Sequence, residues 1–557
     1  MTPLASRASS GNYWPPDSSS PEPGNAKRWP LLAILATQAV LSLALIAHSI
    51  VQDEATYVVA GDGEIGRWLH GAQVAPYPKV FSGAPVIYPP LSAAVNGVGG
   101  LIATRLMSLC FMLITTAVLW FTARRLFGTR VSLIATALFA ATGAVQYLGA
   151  LATYDAMALM LLALATWCAV RAAGRSGTGR VLTLAAMCAF LLVADATKYA
   201  SALWDPVVVA VAALADASRR GWREGIITGV VTAAATLLML AAAILAAGSV
   251  YWSGILFSTL NRTVDGHVPA SSILASAAGW IGIVAVLAVF GALVLSFSPG
   301  YARPVKAMGW VLAAAVFLAP ANQARIGVPV SLFKHVAFGA WFAVIPAGYG
   351  ISAAFSAVVR RGWDISLRAA TGWVALLTAT TLAVGIFEAQ VKADASIGYS
   401  PAVVARLRPL LEMSKGMWLG DSPTVLSYYT RTPGVRWSKT DGFTYSDPRT
   451  GRTLSGAPAY ADAIRHHFFS VVVLLSDRDS GSADNVIVRW LHRVRGYHLR
   501  VIGQPGISKP VFVWRYVRGA RGPLPPFHRR HRHRRHVRVL GRTAGGTTRR
   551  QDGTRTR

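Results

Sequence analysis

Long apolar runs recur along the first 390 residues and are separated by short polar segments. A helix needs about 20 mostly apolar residues to cross the hydrocarbon of a bilayer. The pattern therefore predicts eleven membrane-spanning helices. These predicted spans are residues 31–51, 106–122, 131–149, 155–170, 181–194, 202–215, 226–247, 273–296, 307–321, 336–358 and 371–388. The fifth and sixth runs are short, which leaves open a broken or re-entrant pair. We also expect residues 91–104 to form a helix at the membrane interface.

After the last span the pattern changes to that of a soluble α/β domain, residues 391–518. Short apolar or β-branched runs alternate with stretches of helical periodicity. The runs that predict strands are 416–420, 469–475, 499–502 and 511–517, and the stretches that predict helices include 458–467 and 484–495. The predicted fold is an all-α polytopic membrane protein, residues 29–390, followed by this α/β domain.

Composition supports a membrane protein and explains most of the positive charge. Of the 557 residues, 53% are hydrophobic and 14% are charged, and the net charge is +30. Residues 521–557 contain twelve arginines and one acid, Asp552. We therefore predict a disordered Arg/His-rich tail over 519–557, a disordered Ser/Pro/Gly-rich leader over 1–28, and no nucleic-acid partner. The three cysteines lie within apolar runs and form no metal-ligand or disulfide pattern.

Basic residues mark alternate loops, and this asymmetry predicts the orientation in the membrane. Cytoplasmic loops of membrane proteins carry an excess of Lys and Arg. The rich loops contain Lys27 and Arg28; Arg124, Arg125 and Arg130; Arg171, Arg175 and Arg180; Arg219, Arg220 and Arg223; Arg303 and Lys306; Arg360, Arg361 and Arg368. We therefore expect a cytoplasmic N-terminus at the cell membrane. The long loop 52–105 and the domain 391–518 would then be extracytoplasmic.

Ionisable residues gather at the outer ends of the predicted spans, whereas the span interiors contain almost none. Asp53 and Glu54 follow the first span directly, and Asp155 begins the fourth. The basic members of the group are Arg105, Lys198, Arg325, Lys334 and His335. Acids and bases mixed at one membrane interface are costly and usually mark function. A transporter would instead place charges or broken helices near the midplane.

Several short motifs occur in an order that resembles a known family. They are Asp53-Glu54 after the first span, Tyr88-Pro89-Pro90-Leu91 late in the outer loop, Ala103-Thr104-Arg105-Leu106, Thr153-Tyr154-Asp155-Ala156, Thr197-Lys198-Tyr199 and Lys334-His335. In this order and with this sidedness, residues 31–390 resemble the GT-C membrane glycosyltransferases. The resemblance is to the group of protein O-mannosyltransferases and lipid A aminoarabinose transferases. It implies transfer of a sugar from a polyprenyl-phosphate donor to an extracytoplasmic acceptor.

The resemblance also implies roles for individual residues. Asp53 is similar to the acidic residue that acts as the base, Asp155 to the acid of the second outer loop, and Lys198 to a basic residue at the donor phosphate. Glu54 would orient the loop, bind a metal or face water. Some relatives have a basic residue at the position of Tyr88, so one phosphate contact is missing or moved in this chain. Tyr88-Pro89-Pro90 is a candidate either for a substrate contact or for a rigid corner of the loop.

The chemistry of sugar transfer agrees with this set of residues. A carboxylate takes the proton of the acceptor hydroxyl, and the leaving phosphate needs cationic groups or a metal. Arg105, Arg325, Lys334 and His335 join Lys198 as candidates at the phosphate, and a divalent metal stays open as a cofactor. Two other functions remain alternatives: a transporter or flippase for a lipid-linked glycan, and a non-catalytic envelope scaffold.

Overall fold

The structure is a computed structural model, and it describes most of the chain between residues 29 and 518. The described ranges are 29–46, 49–74, 77–79, 81–259, 268–360, 367–396, 398–431, 436–440, 443–475, 482–504 and 507–518. The leader 1–28 and the tail 519–557 lie outside the described residues, so the predictions made for them stay predictions.

Fifteen helices form the membrane part of the described chain. They are α1 Trp29–Ala44, α2 Gln52–His70, α3 Tyr88–Phe127, α4 Thr129–Ala141, α5 Gly143–Ala150, α6 Tyr154–Ala172, α7 Gly177–Thr197, α8 Asp205–Arg220, α9 Trp222–Ala247, α10 Ser249–Thr259, α11 Ala270–Phe297, α12 Arg303–Ala314, α13 Leu318–Ile326, α14 Leu332–Arg360 and α15 Leu367–Ser396. Short 3₁₀ segments lie at Tyr77–Lys79, Tyr199–Trp204 and Ala315–Phe317. Eight helical stretches are long and apolar enough to cross a bilayer, and the bent pair α4–α5 would make a ninth.

Each predicted span overlaps a helix, a bent pair of helices or a helix joined to a 3₁₀ segment, which confirms a polytopic membrane protein. The first span, predicted over 31–51, is shorter than expected because α1 ends at Ala44. The predicted break lies elsewhere, however. The fifth and sixth runs belong to α7 and to the stretch Tyr199–Arg220, both of which pass as single spans. Polar residues at both ends of α7 are helical as well, so the helix is longer than the apolar run 181–194. The broken span is the third, where α4 and α5 meet at 65° and Thr142 adopts an extended backbone.

The segment 52–105, predicted as an outer loop, is largely helical, and the hydrophobic pattern predicted only its second helical part, 91–104. Its first 19 residues form α2, which ends at Gly71 in the left-handed conformation. The predicted interfacial helix 91–104 is continuous with the second span in α3, which is kinked at Gly100 with a φ of 67°. Glycine tolerates this positive φ because it has no Cβ. Helix α2 packs against the start of α3, and this contact places Asp53 and Glu54.

Helix α14 lies at the centre of the membrane part. Every residue from 332 to 351 is buried. Helix α11 crosses α14 so closely that a Cβ on Gly291 would lie 1.8 Å from the carbonyl oxygen of Pro346. A helix buried on all sides is apolar all round. The two charged or titratable residues near its first turn, Lys334 and His335, are therefore exceptions that need partners.

The C-terminal region contains the predicted α/β domain. Its helices are α16 Pro401–Glu412, α17 Pro423–Thr430, α18 Gly456–Arg465 and α19 Ser482–Arg493. Its strands are β1 Met417–Gly420, β2 Trp437–Lys439, β3 Thr444–Ser446, β4 Thr453–Ser455, β5 Phe469–Leu475, β6 Tyr497–Gln504 and β7 Ile507–Tyr516. Five strands form one mixed sheet in the order β2-β1-β5-β7-β6, and β3 pairs with β4. All four predicted strands and both predicted helices are present.

The α/β domain contacts the membrane part through α17. The hydroxyl of Thr56 on α2 donates a hydrogen bond to the hydroxyl of Thr424 at 3.0 Å. The backbone N–H of Ile50 donates to the hydroxyl of Tyr429 at 2.9 Å, and Tyr428 donates to Asn96 Oδ1 at 2.9 Å. The domain therefore lies on the same side of the membrane as the first turn of α2.

Candidate active site

Asp53 and Glu54 occupy the first turn of α2 and point in different directions. A step of one residue turns a side chain by about 100° around a helix. The side chain of Asp53 is 54% exposed, whereas Glu54 is completely buried. The adjacent carboxylates therefore have separate surroundings and separate partners.

Glu54 belongs to a sealed ion pair with Arg105 of α3. Arg105 donates from Nε to Oε1 at 2.8 Å and from Nη2 to Oε2 at 2.6 Å. The carboxylate also accepts the backbone N–H groups of Val51 at 3.0 Å and Ala152 at 2.8 Å. Arg105 additionally donates to the carbonyl of Ser49 at 2.8 Å. Three segments of the chain, around residues 49–54, 105 and 152, are tied together by this buried pair.

This geometry bears on the roles expected of two residues. Arg105 was expected at the donor phosphate, and Glu54, a candidate catalytic residue, was expected to orient the loop, bind a metal or face water. Neither residue lines the cavity described below, as far as the described residues define it. Of the alternatives for Glu54, the geometry agrees with orienting the chain around α2, because bidentate Arg–carboxylate pairs fix geometry.

Asp53 begins a second, open chain of charges. Lys334 Nζ donates to Asp53 Oδ2 at 2.7 Å and lies 3.5 Å from Asp155 Oδ2. Lys198 Nζ donates to Asp155 Oδ1 at 2.5 Å. Asp155 is completely buried, and both lysines are at most 8% exposed. The order Asp53–Lys334–Asp155–Lys198 alternates in sign, so each buried charge has an opposite neighbour, as burial requires.

The position of Lys198 is fixed by a close contact between two segments. The backbone N–H of Tyr199 donates to the carbonyl of Ser82 at 2.8 Å, and that of Ala84 donates to Ala196 at 2.7 Å. A Cβ on Gly83 would lie 2.1 Å from the carbonyl oxygen of Thr197, so only glycine fits. The ammonium of Lys198 lies 4.6 Å from the centre of the Tyr154 ring, a cation–π contact.

These charges lie beside a cavity of about 650 Å³ between the membrane part and the α/β domain. Five of the nine candidate residues line it: Asp53, Lys198, Arg325, Lys334 and His335. Asp155 lies behind the wall and holds both lysines. His335 is buried, and its Nδ1 accepts from Gln323 Nε2 at 3.1 Å. Because an amide nitrogen can only donate, this contact keeps the proton of a neutral His335 on Nε2.

Tyr88 lies in a different place from the one expected of a substrate contact. It is completely buried, does not line the described cavity, and its hydroxyl lies 3.5 Å from Ser108 Oγ. Its ring packs edge-to-face against Tyr57, with ring centres 5.5 Å apart. Tyr57, Phe81 and Tyr154 belong to the same aromatic cluster and also line the cavity. Tyr88 therefore supports the cavity wall from behind.

Sequence reasoning missed several cavity residues. Tyr57 lies one turn after Asp53, and burial raises its pKa far above the usual value, so its hydroxyl stays protonated. The α/β domain supplies Pro423, Thr424 and Lys439. Tyr57 could have been found from its i,i+4 spacing to Asp53 on a helix, had α2 been predicted. No local pattern marks the residues of the α/β domain.

The candidate metal ligands lie elsewhere. Among the described residues, one group of three has ligand atoms close enough to share an ion: Asp447, Asp462 and His466 of the α/β domain, which do not line the cavity. At the cavity, the ammonium of Lys334 lies between the carboxylates of Asp53 and Asp155. These two acids are thus bridged by a protein cation.

The described chain combines a helical membrane part, helix α2 with its acidic first turn and an α/β domain over the cavity. Part of its sequence matches a known family. Residues 90–252 match the family model described as dolichyl-phosphate-mannose-protein mannosyltransferase. No curated protein matches the chain in a sequence comparison.

Solved structures show the same fold over most of the chain. ArnT from Cupriavidus metallidurans in the apo state is 14% identical with a TM-score of 0.52, and the match covers 88% of this chain and 99% of ArnT. The ArnT structure bound to undecaprenyl phosphate is 15% identical with a TM-score of 0.52, covering 89% of this chain and 100% of ArnT.

A second enzyme is similar at the level of fold. The oligosaccharyltransferase AglB from Archaeoglobus fulgidus, in complex with an inhibitory peptide and a dolichol-phosphate, is 10% identical with a TM-score of 0.53. The match covers 90% of this chain and 75% of AglB. The predicted class of membrane protein is confirmed, and this chain is a multi-pass membrane protein with the GT-C fold.

Proposed function

We propose that this chain is a glycosyltransferase that moves a sugar from a polyprenyl-phosphate donor to an extracytoplasmic acceptor. The partial match to the mannosyltransferase family model supports a sugar linked to a lipid phosphate. Two structures of similar fold were solved with undecaprenyl phosphate or dolichol-phosphate, which supports the same class of donor.

One observation carries the proposal: among the described residues that line the cavity, one exposed carboxylate faces a set of basic side chains. Asp53 provides the carboxylate, and the basic residues are Lys198, Arg325, Lys334, His335 and Lys439. An anionic substrate group is attracted to such a wall. A base and several cations in one cavity match the two charges that change during sugar transfer.

The proposed reaction assigns each charge a task. The acceptor hydroxyl attacks the anomeric carbon, and its proton goes to Asp53. As the bond between the sugar and the phosphate breaks, negative charge grows on the phosphate oxygens. Lys198 and Lys334, held by Asp155, stabilise that charge, and His335 and Arg325 lie in the same wall. The aromatic rings of Tyr57 and Phe81 offer an apolar surface to the sugar.

The loop charges support an extracytoplasmic location of this cavity. The basic residues that precede α4, follow α6 and follow α8 lie at the span ends opposite the α2 side. By the positive-inside rule that opposite end is cytoplasmic. Since Thr56 and Thr424 hold the α/β domain over α2, the domain and the active site would both face outward.

Purified protein incubated with labelled polyprenyl-phosphate sugars tests the proposal. We expect release of polyprenyl phosphate and transfer of label to an acceptor fraction from the cell envelope, both lost in Asp53→Asn. A flippase would move the labelled lipid across proteoliposomes without breaking the sugar–phosphate bond. Translocation of intact donor without cleavage would therefore contradict the proposed reaction.

A further inference from the structure

Lys334 pairs with Asp53 in this structure, and the proposed reaction also needs it at the donor phosphate. One ammonium group cannot make its shortest contact to both at once. Its Nζ donates to Asp53 Oδ2 at 2.7 Å and lies farther from Asp155, at 3.5 Å. Asp155 already accepts from Lys198 at 2.5 Å, so it depends less on Lys334. The shorter contact of Lys334 is thus made to the carboxylate that must later receive a proton.

A donor phosphate would compete with Asp53 for this ammonium. The side chain of Asp53 is 54% exposed, so water can replace the partner it loses. Lys334 lies on buried α14, already lines the cavity and keeps Asp155 as an anchor, so a small rotation of its end suffices to exchange Asp53 for a phosphate. The donor phosphate is a diester with one negative charge, and its oxygens accept charge-assisted hydrogen bonds from an ammonium as a carboxylate does. Its charge increases as the sugar leaves and the diester becomes a monoester.

We propose that binding of the donor phosphate takes Lys334 away from Asp53 and thereby frees this carboxylate to act as the base. Without donor, Lys334 occupies Asp53 Oδ2. With donor, Lys334 neutralises the phosphate. The arrangement is a substrate-operated switch, and it rests on the proposed function because it needs a phosphate in the cavity. As a result, Asp53 can remove the proton of the acceptor only after the donor has bound.

Binding of polyprenyl phosphate alone, measured in detergent without any sugar transfer, tests this competition. Removing the competitor should tighten binding, so we expect Asp53→Asn to lower the Kd by roughly fivefold, as for an ion pair at an exposed site. Lys334→Met should raise the Kd by about tenfold. In the Lys334→Met background, Asp53→Asn should leave the Kd unchanged, because nothing remains to compete for.

Two controls separate competition from simple charge repulsion. Asp62→Asn removes a carboxylate from the same helix outside the cavity lining and should not change the Kd. If Asp53→Asn tightens binding equally with and without Lys334, repulsion explains the effect and the switch is overturned. Lys334→Gln repeats the test should Lys334→Met fold poorly. Unchanged or weaker binding by Asp53→Asn also overturns the switch.

The failure of the proposed function gives a different result. If the unmodified protein does not bind polyprenyl phosphate at all, the donor class itself is wrong. If it binds and transfers sugar but the double-variant comparison shows no coupling between positions 53 and 334, only the switch is wrong. The two ideas can therefore be rejected separately.

Discussion

Two ion pairs begin one residue apart and behave as opposites. Glu54 and Arg105 are completely enclosed, bidentate and further satisfied by backbone groups. Asp53 and Lys334 share one hydrogen bond at 2.7 Å, and the Asp53 side chain is half exposed. A sealed pair can fix the chain but cannot exchange protons with a substrate. The open pair can exchange a proton with a substrate. The accessibility of the side chains therefore distinguishes the two carboxylates, which the sequence alone does not.

The largest expected difference between the two ion pairs is in catalysis, and Asp53→Asn in the open pair should show it. This substitution keeps the shape and removes the proton acceptor, so we expect transfer to slow by at least about a hundredfold. The protein should fold and still bind donor. The measurement is the initial rate of polyprenyl-phosphate release, with Asp62→Asn as the matched control. If Asp53→Asn kept a near-normal rate while Asp155→Asn was inactive, Asp155 would have to be assigned as the base instead.

Glu54→Gln should act on stability instead. Removing one partner of a buried pair leaves Arg105 uncompensated, so we expect a loss of about 3–5 kcal/mol in the free energy of unfolding. Thermal unfolding in detergent measures it. Combining Glu54→Gln with Arg105→Met should restore part of the loss, because neither position then holds an unpaired buried charge. A stable but inactive Glu54→Gln would show that Glu54 takes part in the chemistry.

Lys198→Ala should have a smaller effect than Asp53→Asn, and its main effect should be on the KM for the donor. Lys198 touches the cavity and Asp155 but not Asp53, so its loss should raise the KM for donor about tenfold and lower turnover as well. Lys198→Arg keeps the charge and should recover part of the loss. Lys415→Ala, at an exposed position of the α/β domain, serves as the control. Normal donor use by Lys198→Ala would remove this residue from the phosphate site.

Sidedness can be tested by substitutions that should leave activity unchanged. Ser446 is exposed on the α/β domain, and Ser176 is exposed in the loop between α6 and α7. In a variant without the native cysteines, Ser446→Cys should react with an impermeant maleimide in intact cells. Ser176→Cys should react only after permeabilisation. The reverse labelling pattern would place both ion pairs at the cytoplasmic face.

The architecture was largely readable from the sequence because its signals are local. Membrane spans follow from the length of apolar runs, and the four predicted strands follow from short β-branched runs. The gathering of Asp53, Asp155, Lys198 and Lys334 at one face was also predictable, because span boundaries fix the depth of a residue in the bilayer. Helix α2 escaped prediction because its polar and small residues give no apolar run.

Only the tertiary structure decided which charges pair and which face the cavity. Lys334 and Asp53 are 281 residues apart in the chain. Tyr88 lies behind the cavity wall because the packing of α2 and α3 places the first residue of α3 there. Thr424 and Lys439 joined the cavity wall through the contact of the α/β domain with α2. Depth in the membrane is set by local hydropathy, whereas partnership is set by packing between distant segments. The sequence therefore determined that these charges gather at one face of the membrane, and the fold decided that Asp53 is exposed and Glu54 is enclosed.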